Sequence, residues 1–282
     1  MTEYYRNHKG SLVLRLLVYL SAVLTVLVLA VLIGYILIKG IPNITPEQFQ
    51  WKYTTQNVSM MPAIFNTLTI TVLSLLVAVP FGVFSAVYLV EYAERGNKLV
   101  RVIRLTTETL SGIPSIVYGL FGFLFFVVAL GWGLSILAGT MTLAIMILPL
   151  IMRTTEEALK SVPDSYREGS FGLGAGKLRT VFHIVLPSAV PGILAGVILG
   201  IGRIVGETAA LIYTAGTVTG VATGLLHSGR TLSVHMYALL SEGLYMKQAY
   251  ATAVILLVMV IIINAVSGLI AGKVAGKNKK EN

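Results

Sequence analysis

Long runs without a single charge dominate this chain and fix the medium in which it folds. Leu16–Ile38 is uncharged for 23 residues, Ala63–Val90 for 28, Thr109–Met152 for 44 and Gln248–Gly272 for 25. A helix needs about 20 apolar residues to cross the hydrocarbon core of a bilayer. Backbone amides find no partners in hydrocarbon, so such runs fold as helices; barrel strands would be shorter and would alternate. The 44-residue run divides into two spans around a tight turn at Gly131-Trp132-Gly133. A further stretch, Ala189–Tyr213, is interrupted only by Arg203 and Glu207. The expected fold is an all-α integral membrane protein with six transmembrane helices.

A formal net charge of +9 would point a soluble protein toward nucleic acid. Its distribution here says otherwise. With six spans and an inside N-terminus, sixteen basic residues fall in inside segments: Arg6, Lys9, Arg15, Arg95, Lys98, Arg101, Arg104, Arg153, Lys160, Arg167, Lys177, Arg179, Lys273, Lys277, Lys279 and Lys280. Only four, Lys39, Lys52, Arg230 and Lys247, fall outside. This asymmetry places both termini in the cytoplasm and a multi-pass protein in the cell (inner) membrane; no nucleic acid is implied. Cysteine is absent, which excludes disulfides and thiolate metal sites, and His8, His183, His227 and His235 lack metal-ligand spacing. The first span is too long for a signal-peptide core and lacks a small-x-small cleavage site, so it is expected to stay.

The chain divides into an N-terminal tail, first span and external loop (1–62), a transmembrane core (63–272) and a basic tail (273–282). The outside loops Lys39–Met61 and Thr217–Lys247 have room for short interfacial helices, the second around Val234–Leu244. They either connect spans or meet an external partner. Glu91–Arg104 reads as a short charged connector. Gly192, Gly196 and Gly200 recur every four residues and give the fifth span a smooth ridge for close helix packing, repeated on a neighbouring face by Gly202 and Gly206. The third span opens Ser111-Gly-Ile-Pro-Ser115. Pro114 either starts that helix or breaks it, in which case Ser111 and Ser115 line a polar path.

The polar insert between the fourth and fifth spans is unusually regular. Ser161-x-x-Asp164 has capping character, with Pro163 tolerated in the first turn. A helix to about Leu173 would end on a left-handed Gly174, and a second, Lys177–Val185, would be stopped by Pro187. The product is a cytoplasmic helix-turn-helix offering Tyr166, Phe171 and Leu173 as apolar knobs ringed by Arg167, Glu168, Lys177 and Arg179. The segment Gly172-Leu-Gly-Ala-Gly-Lys177 superficially has the look of a phosphate-binding loop. It lacks the first glycine, the hydroxyl residue after lysine and a preceding strand, so ATP binding by this chain is not expected.

The skeleton Glu168-Gly169-Ser170, Gly174 and Ile184-x-Leu186-Pro187 resembles the "EAA" loop of permease subunits of ATP-binding-cassette importers. Gly169 and Ser170 stand where that family most often has alanine; Gly169 should cost roughly 1 kcal/mol of helix stability. Asn66-Thr-Leu, Pro80-Phe-Gly82 and Ser85-Ala86 are similar to the same superfamily. Gly112-Ile-Pro-Ser-Ile-Val-Tyr-Gly119, Arg153-Thr-Thr-Glu-Glu-Ala158 and Gly202-Arg-Ile-Val-Gly-Glu-Thr208 are similar to the phosphate-specific permeases, of the PstA type. The likeness runs from roughly Ala63 onward. It implies a type I importer permease fold, with Tyr166, Arg167, Glu168, Gly169, Ser170, Gly174, Ile184, Leu186 and Pro187 coupling to a separate ATPase. It implies as partners a second permease (PstC type), an ATPase dimer (PstB type) carrying ATP-Mg and an external phosphate-binding protein (PstS type). This chain itself would be no enzyme and would bind no cofactor.

Arg203 lies about 14 residues, or roughly 21 Å, into the fifth span. Glu207 follows at i+4, on the same helical face. A membrane arginine costs at least about 2.5–3.5 kcal/mol and needs protein, water or a partner around it. Two readings stand: the pair is a staple within the bundle, or Arg203 offers its donor fork to a crossing oxyanion while Glu207 holds it between passages. The resemblance favours the second. Thr208 and Tyr213 are candidate lining residues, and Arg153 either meets the anion on exit or anchors the inside face. The expected function is passage of inorganic phosphate as half of an ATP-driven import path. Another oxyanion such as sulfate or molybdate, or a self-contained secondary anion transporter, is the alternative.

Overall fold

A computed structural model describes residues 9–94 and 96–278. Arg6, His8, Arg95, Lys279 and Lys280, used above, lie outside the described residues. The apolar runs became the helices α1 (Lys9–Gly40), α2 (Met61–Val87), α3 (Lys98–Ser111), α4 (Ser115–Gly122), α5 (Ile136–Lys160), α6 (Asp164–Gly172), α7 (Lys177–Thr180), α8 (Leu186–Val205), α9 (Ala209–Thr214), α10 (Leu232–Glu242) and α11 (Met246–Asn278). Wider π-helical turns extend α2 over Tyr88–Tyr92 and α4 over Phe123–Ala129, and a third, Val181–Val185, joins α7 to α8. Five helical stretches are long and apolar enough to cross a membrane, and the pair Lys98–Ser111 and Ser115–Ala129, bent by 105°, makes a sixth if counted as one span.

The bend has a local cause. Pro114 cannot continue a helix from α3, and it caps the start of α4 instead. The Tyr118 hydroxyl reaches back across the corner to the Leu110 carbonyl at 2.9 Å. Pro114 therefore initiates a helix. The charged connector Glu91–Arg104 is corrected in part: from Lys98 it is the first half of an amphipathic helix, capped by the Asn97 side chain on the Leu99 amide.

α5 is the axis of the bundle, packed along α2 and α8. Its middle shares a core with Ile70, Ala78, Ile204 and Leu211, through Leu143, Ala144 and Ile147. A second core, formed by Ala86, Val87, Ala158, Leu159, Val162, Val181 and Val185, closes the end that carries α6 and α7. The glycine ridge of α8 lies where packing demands it. A Cβ on Gly192 would sit 2.6 Å from the Ala158 methyl, and one on Gly196 would overlap the Thr154 hydroxyl. The second ridge differs, since a Cβ on Gly202 would have nothing within 4 Å.

Two boundaries in this region depart from expectation. Pro187 does not stop the helix: α7, the π-helical turn and α8 form one helix, Lys177–Val205. In the wider turn the Leu186 amide reaches back to the Val181 carbonyl. Pro187, which has no donor, then falls in the first turn of α8, where none is required. The fifth span also ends at Val205, not near Tyr213. Gly206 ends α8, and α9 starts afresh.

α1 is exposed along most of its length, as suits an all-apolar helix in lipid. It meets α11 only near its end, where Gly40 lies on the Tyr250 backbone and the Tyr35 and Tyr250 rings touch edge to face with centroids 5.9 Å apart. The two expected outside helices differ in kind. The first loop holds only short 3-10 turns at Ile41–Asn43 and Pro46–Phe49, whereas α10 is built into the bundle with Leu232, Val234, His235 and Leu239 buried.

Candidate functional site

The hairpin of α6 and α7 stands at the end of the bundle closed by the second core. It turns at Gly174, whose φ of +81° suits glycine, and the Ala175 amide returns to the Ser170 carbonyl at 3.1 Å. Inside the hairpin the Ser170 and Thr180 hydroxyls bond at 2.8 Å, both buried. Ser161 does not cap α6, since its hydroxyl bonds back to the Ala158 carbonyl; Pro163 holds the cap position.

Arg167 also departs from the expected outward ring. Its side chain turns inward and meets Glu91 at 2.7 Å through Nη2, while donating to the Val162 carbonyl at 2.8 Å and the Leu159 carbonyl at 3.0 Å. Both carbonyls lie at the end of α5, that of Leu159 already accepting the Val162 amide at 3.3 Å, and a planar fork reaches them and the carboxylate at once. Lys177 adds a cation–π contact over the Tyr92 ring at 5.1 Å. The hairpin is thus bolted to the ends of α2 and α5. Ile184, Leu186 and Pro187 are half-buried at the root of α8, away from the tip.

The outer face is what remains, and it is apolar. Tyr166, Phe171, Leu178 and Phe182 are exposed, and Leu173 at the tip is 92% exposed. Glu168, Lys177 and Arg179 are exposed beside them. Gly169 and Gly172 have open space where a Cβ would stand, so nothing within the chain requires glycine there. An apolar patch rimmed by charge, with smooth backbone in its middle, is suited to receiving another protein.

Farther into the bundle, α8 breaks at Gly206. Arg203, half-buried in the last turn, makes no ion pair with Glu207, and the shared face is corrected by the break between them. The Glu207 carboxylate instead accepts the Ala210 amide at 3.1 Å and caps α9. Its backbone carbonyl accepts the Ser233 hydroxyl of α10 at 2.6 Å. α4 packs along α9 beside this break, with the middle of α4 at Gly119 against the Ala209 and Ala210 backbone. Ser115 and Thr208 are half-buried there, whereas Ser111 is exposed and bonds the Thr107 carbonyl. Tyr213 projects, partly exposed, from α9.

Arg153 is not brought to this break. It lies exposed toward the hairpin end of α5, pairs with Glu157 at 3.2 Å, and borders a cavity of about 200 Å³ with Arg104, Glu108 and Glu156. Sequence reasoning singled out Asn66 as part of a motif but gave it no task. The structure does: its amide donates to the Gly220 and Arg230 carbonyls at 3.0 and 3.1 Å and accepts the Ala222 amide at 3.1 Å. An asparagine inside an apolar helix was the available signal. The Glu91 partner of Arg167 carried no comparable signal, being one acid among several in a charged segment.

The family described as "Binding-protein-dependent transport system inner membrane component" matches residues 78–277. The chain is 35% identical over 245 residues to the probable ABC transporter permease protein YqgI of Bacillus subtilis (strain 168), covering 80% of this chain and 81% of that one. It is 34% identical over 231 residues to phosphate transport system permease protein PstA 1 of Mycobacterium tuberculosis (strain CDC 1551 / Oshkosh), covering 81% and 73%. Among solved structures, a bacterial alginate ABC transporter in complex with its alginate-bound periplasmic protein superposes with a TM-score of 0.70 at 16% identity, over 96% of this chain and 98% of that one. The MetNI methionine ABC transporter, inward facing, superposes at 0.60 with 22% identity, over 76% and 95%. At such identities these two share the fold.

Proposed function

The chain belongs to the binding-protein-dependent inner membrane component family, and from that premise we propose that it passes inorganic phosphate into the cell. As a permease subunit of an ATP-binding-cassette importer it works with another permease, an ATPase and a binding protein. The finer reading makes these PstC-, PstB- and PstS-type subunits, with ATP-Mg held by the ATPase. It puts the hairpin and both termini in the cytoplasm of a cell-membrane protein.

One observation carries the substrate reading: Arg203, half-buried at a helix break inside an apolar bundle, has no carboxylate paired with it among the described residues. Its fork of donors is therefore available to an oxyanion. The phosphate-named relatives support the choice of anion. Glu207 sits beyond the break, where its carboxylate opposes a second negative charge and favours release. Ser115 and Thr208 border the same break.

The continuous helix Lys177–Val205 supplies the mechanics. It spans 29 residues, about 43 Å at 1.5 Å per residue, with the docking hairpin at one end and Arg203 at the other. A tilt imposed on the hairpin by the ATPase is carried along this helix toward Arg203, past the π-helical turn at Val181–Val185 and Pro191. Tyr166, Phe171 and Leu173 form the docking knobs, with Glu168 and Gly169 on the same outer surface.

Labelled-phosphate uptake tests the reading in a strain lacking this gene, complemented with wild type or Arg203→Gln, with sulfate run in parallel. Rescue of phosphate uptake by wild type alone supports it. Equal rescue by both removes Arg203 from the path, and rescue of sulfate uptake alone replaces the substrate.

A further inference from the structure

At the end of the bundle opposite the hairpin, two buried basic side chains take no part in the mechanism above. Arg230 is 4% exposed, yet its Nε and Nη2 groups have no hydrogen-bond acceptor among the described residues. His235, in the first turn of α10, is fully buried with neither ring nitrogen bonded. Nε and Nη2 form the side-on edge of a guanidinium, the edge that receives carboxylates and phosphates with two parallel bonds. The chain itself turns this edge to a carboxylate elsewhere: Arg167 Nε and Nη2 both donate to Glu91 Oε1, at 3.2 and 2.7 Å, and Nε also reaches Oε2 at 3.4 Å.

One aromatic side chain covers both groups. The Tyr53 ring lies 4.8 Å from the Arg230 guanidinium carbon and edge-on to His235 at 6.2 Å between centroids. Tyr53 belongs to the loop before α2, which Asn57 ties together by accepting the Thr54 amide and donating to the Lys52 carbonyl. In that loop Val58 is buried with φ at +44°. A β-branched residue is strained in the left-handed region, and such strain gathers at clamps and switches. The floor of the site is fixed. Asn66 holds the Arg230 carbonyl, and Ser233, three residues on, bonds the Glu207 carbonyl beside the Arg203 break.

A buried guanidinium without a counter-charge is costly, and the cost falls when an anion takes the fork. Glu242 acts on Arg230 from a distance without forming an ion pair. We propose that Arg230 and His235 form a second oxyanion site, beneath the Tyr53 loop, which takes a tetrahedral inorganic oxyanion on the external side before it reaches Arg203. Neutral His235 supplies a further donor. Access requires the Tyr53 loop to lift, which releases the strain at Val58. This rests on the reading of the chain as a phosphate permease subunit.

The test uses the assembled importer in lipid nanodiscs, without the binding protein. Binding of labelled inorganic phosphate and its effect on thermal unfolding are measured for Arg203→Gln alone and combined with Arg230→Gln or Arg230→Lys, with wild type as reference. With Arg203→Gln present in every protein compared, so that only the second site is read, the expected result is phosphate binding that both Arg230 substitutions weaken about tenfold or more, because lysine keeps the charge but loses the fork. Arg230→Met guards against misfolding: added to Arg203→Gln, it should unfold no earlier than Arg203→Gln alone without phosphate and gain nothing from phosphate. Undiminished affinity when Arg230→Gln is added to Arg203→Gln overturns the site, as does phosphate binding abolished by Arg203→Gln alone. If the wild-type importer in vesicles takes up sulfate and not phosphate, the functional reading fails instead.

Discussion

Glu91 and Arg167, 76 residues apart in the chain, meet through a carboxylate oxygen and Nη2 at 2.7 Å, with side chains only 8% and 15% exposed. The contact fastens the α6–α7 hairpin to the end of α2, so a force on α6 reaches two spans rather than one. Removing Arg167 leaves Glu91 buried and unpaired, at a cost of about 3–5 kcal/mol, whereas Arg167 has Asp164 at 3.2 Å as a second, exposed partner. Arg167→Gln should therefore loosen the hairpin, seen as faster proteolysis near Gly174 and ATP hydrolysis no longer matched by transport. Arg167→Lys should rescue it only in part, because an ammonium cannot serve Glu91 and two carbonyls in one plane. Wild-type transport per ATP in Arg167→Gln would remove the strut from the mechanism.

The two glycine ridges of α8 give opposite expectations. Gly196→Val drives a branched side chain into Thr154 and should cost at least about 1–3 kcal/mol, read as lost folded yield in detergent. Gly202→Ala meets open space and should fold as wild type, even gaining from better helix propensity. Equal losses at both positions would mean that the second ridge is also packed, against a partner helix in the assembled importer.

These contrasts show where sequence was sufficient. Charge-free runs set the medium and the span count because hydrocarbon leaves the backbone only one solution. The Gly192 ridge and the Gly174 turn were legible because each needs a residue without a side chain. The error at Arg203 and Glu207 came from assuming that helical spacing continues through Gly206. A glycine in an apolar run permits a break without requiring one, and the break is set by Glu207 capping α9 and by Ser233 bonding its carbonyl. Pro187 misled in the other direction, since a π-helical turn upstream absorbs a proline that sequence rules treat as a stop. The inward turn of Arg167 leaves no mark in the sequence, because its carbonyl partners are backbone atoms and its acid is 76 residues away.

Glu207 can be tested as cap and as charge separately. Glu207→Gln keeps an acceptor for the Ala210 amide, so the fold should hold while phosphate uptake changes strongly. Glu207→Ala removes the cap as well, at about 1 kcal/mol, and should lower thermal stability in addition. Unchanged uptake in a stably folded Glu207→Gln would leave the residue a cap alone.

Asn66 spans the loop before α10 with one side chain and three bonds. In Asn66→Leu the Gly220 and Arg230 carbonyls and the Ala222 amide lose their partners, each at about 1–3 kcal/mol where burial persists. Hydrogen exchange should rise across residues 218–231 and stay unchanged in the hairpin. Protection retained at Ala222 would mean that another group replaces the asparagine.

His235 makes stability depend on pH in a direction its surroundings dictate. Burial first, and the nearby Arg230 charge second, push its pKa from the usual 6.5 down to about 3. The Tyr53 ring faces it and Glu242 acts on Arg230, and among the described residues no carboxylate pairs with the imidazole to restore a proton. Between those two values the unfolded chain binds the proton and the folded chain does not. The contribution is therefore complete above about pH 6.5 and is lost as pH falls, with a slope of up to about 1.4 kcal/mol per pH unit. Unfolding in detergent at pH 7.5, 6.5 and 5.5 should show wild type weakening toward acid more steeply than His235→Phe, which keeps the ring contact with Tyr53 and cannot titrate. Parallel slopes in the two proteins would mean that the histidine is charged, or reached by water, in the folded state.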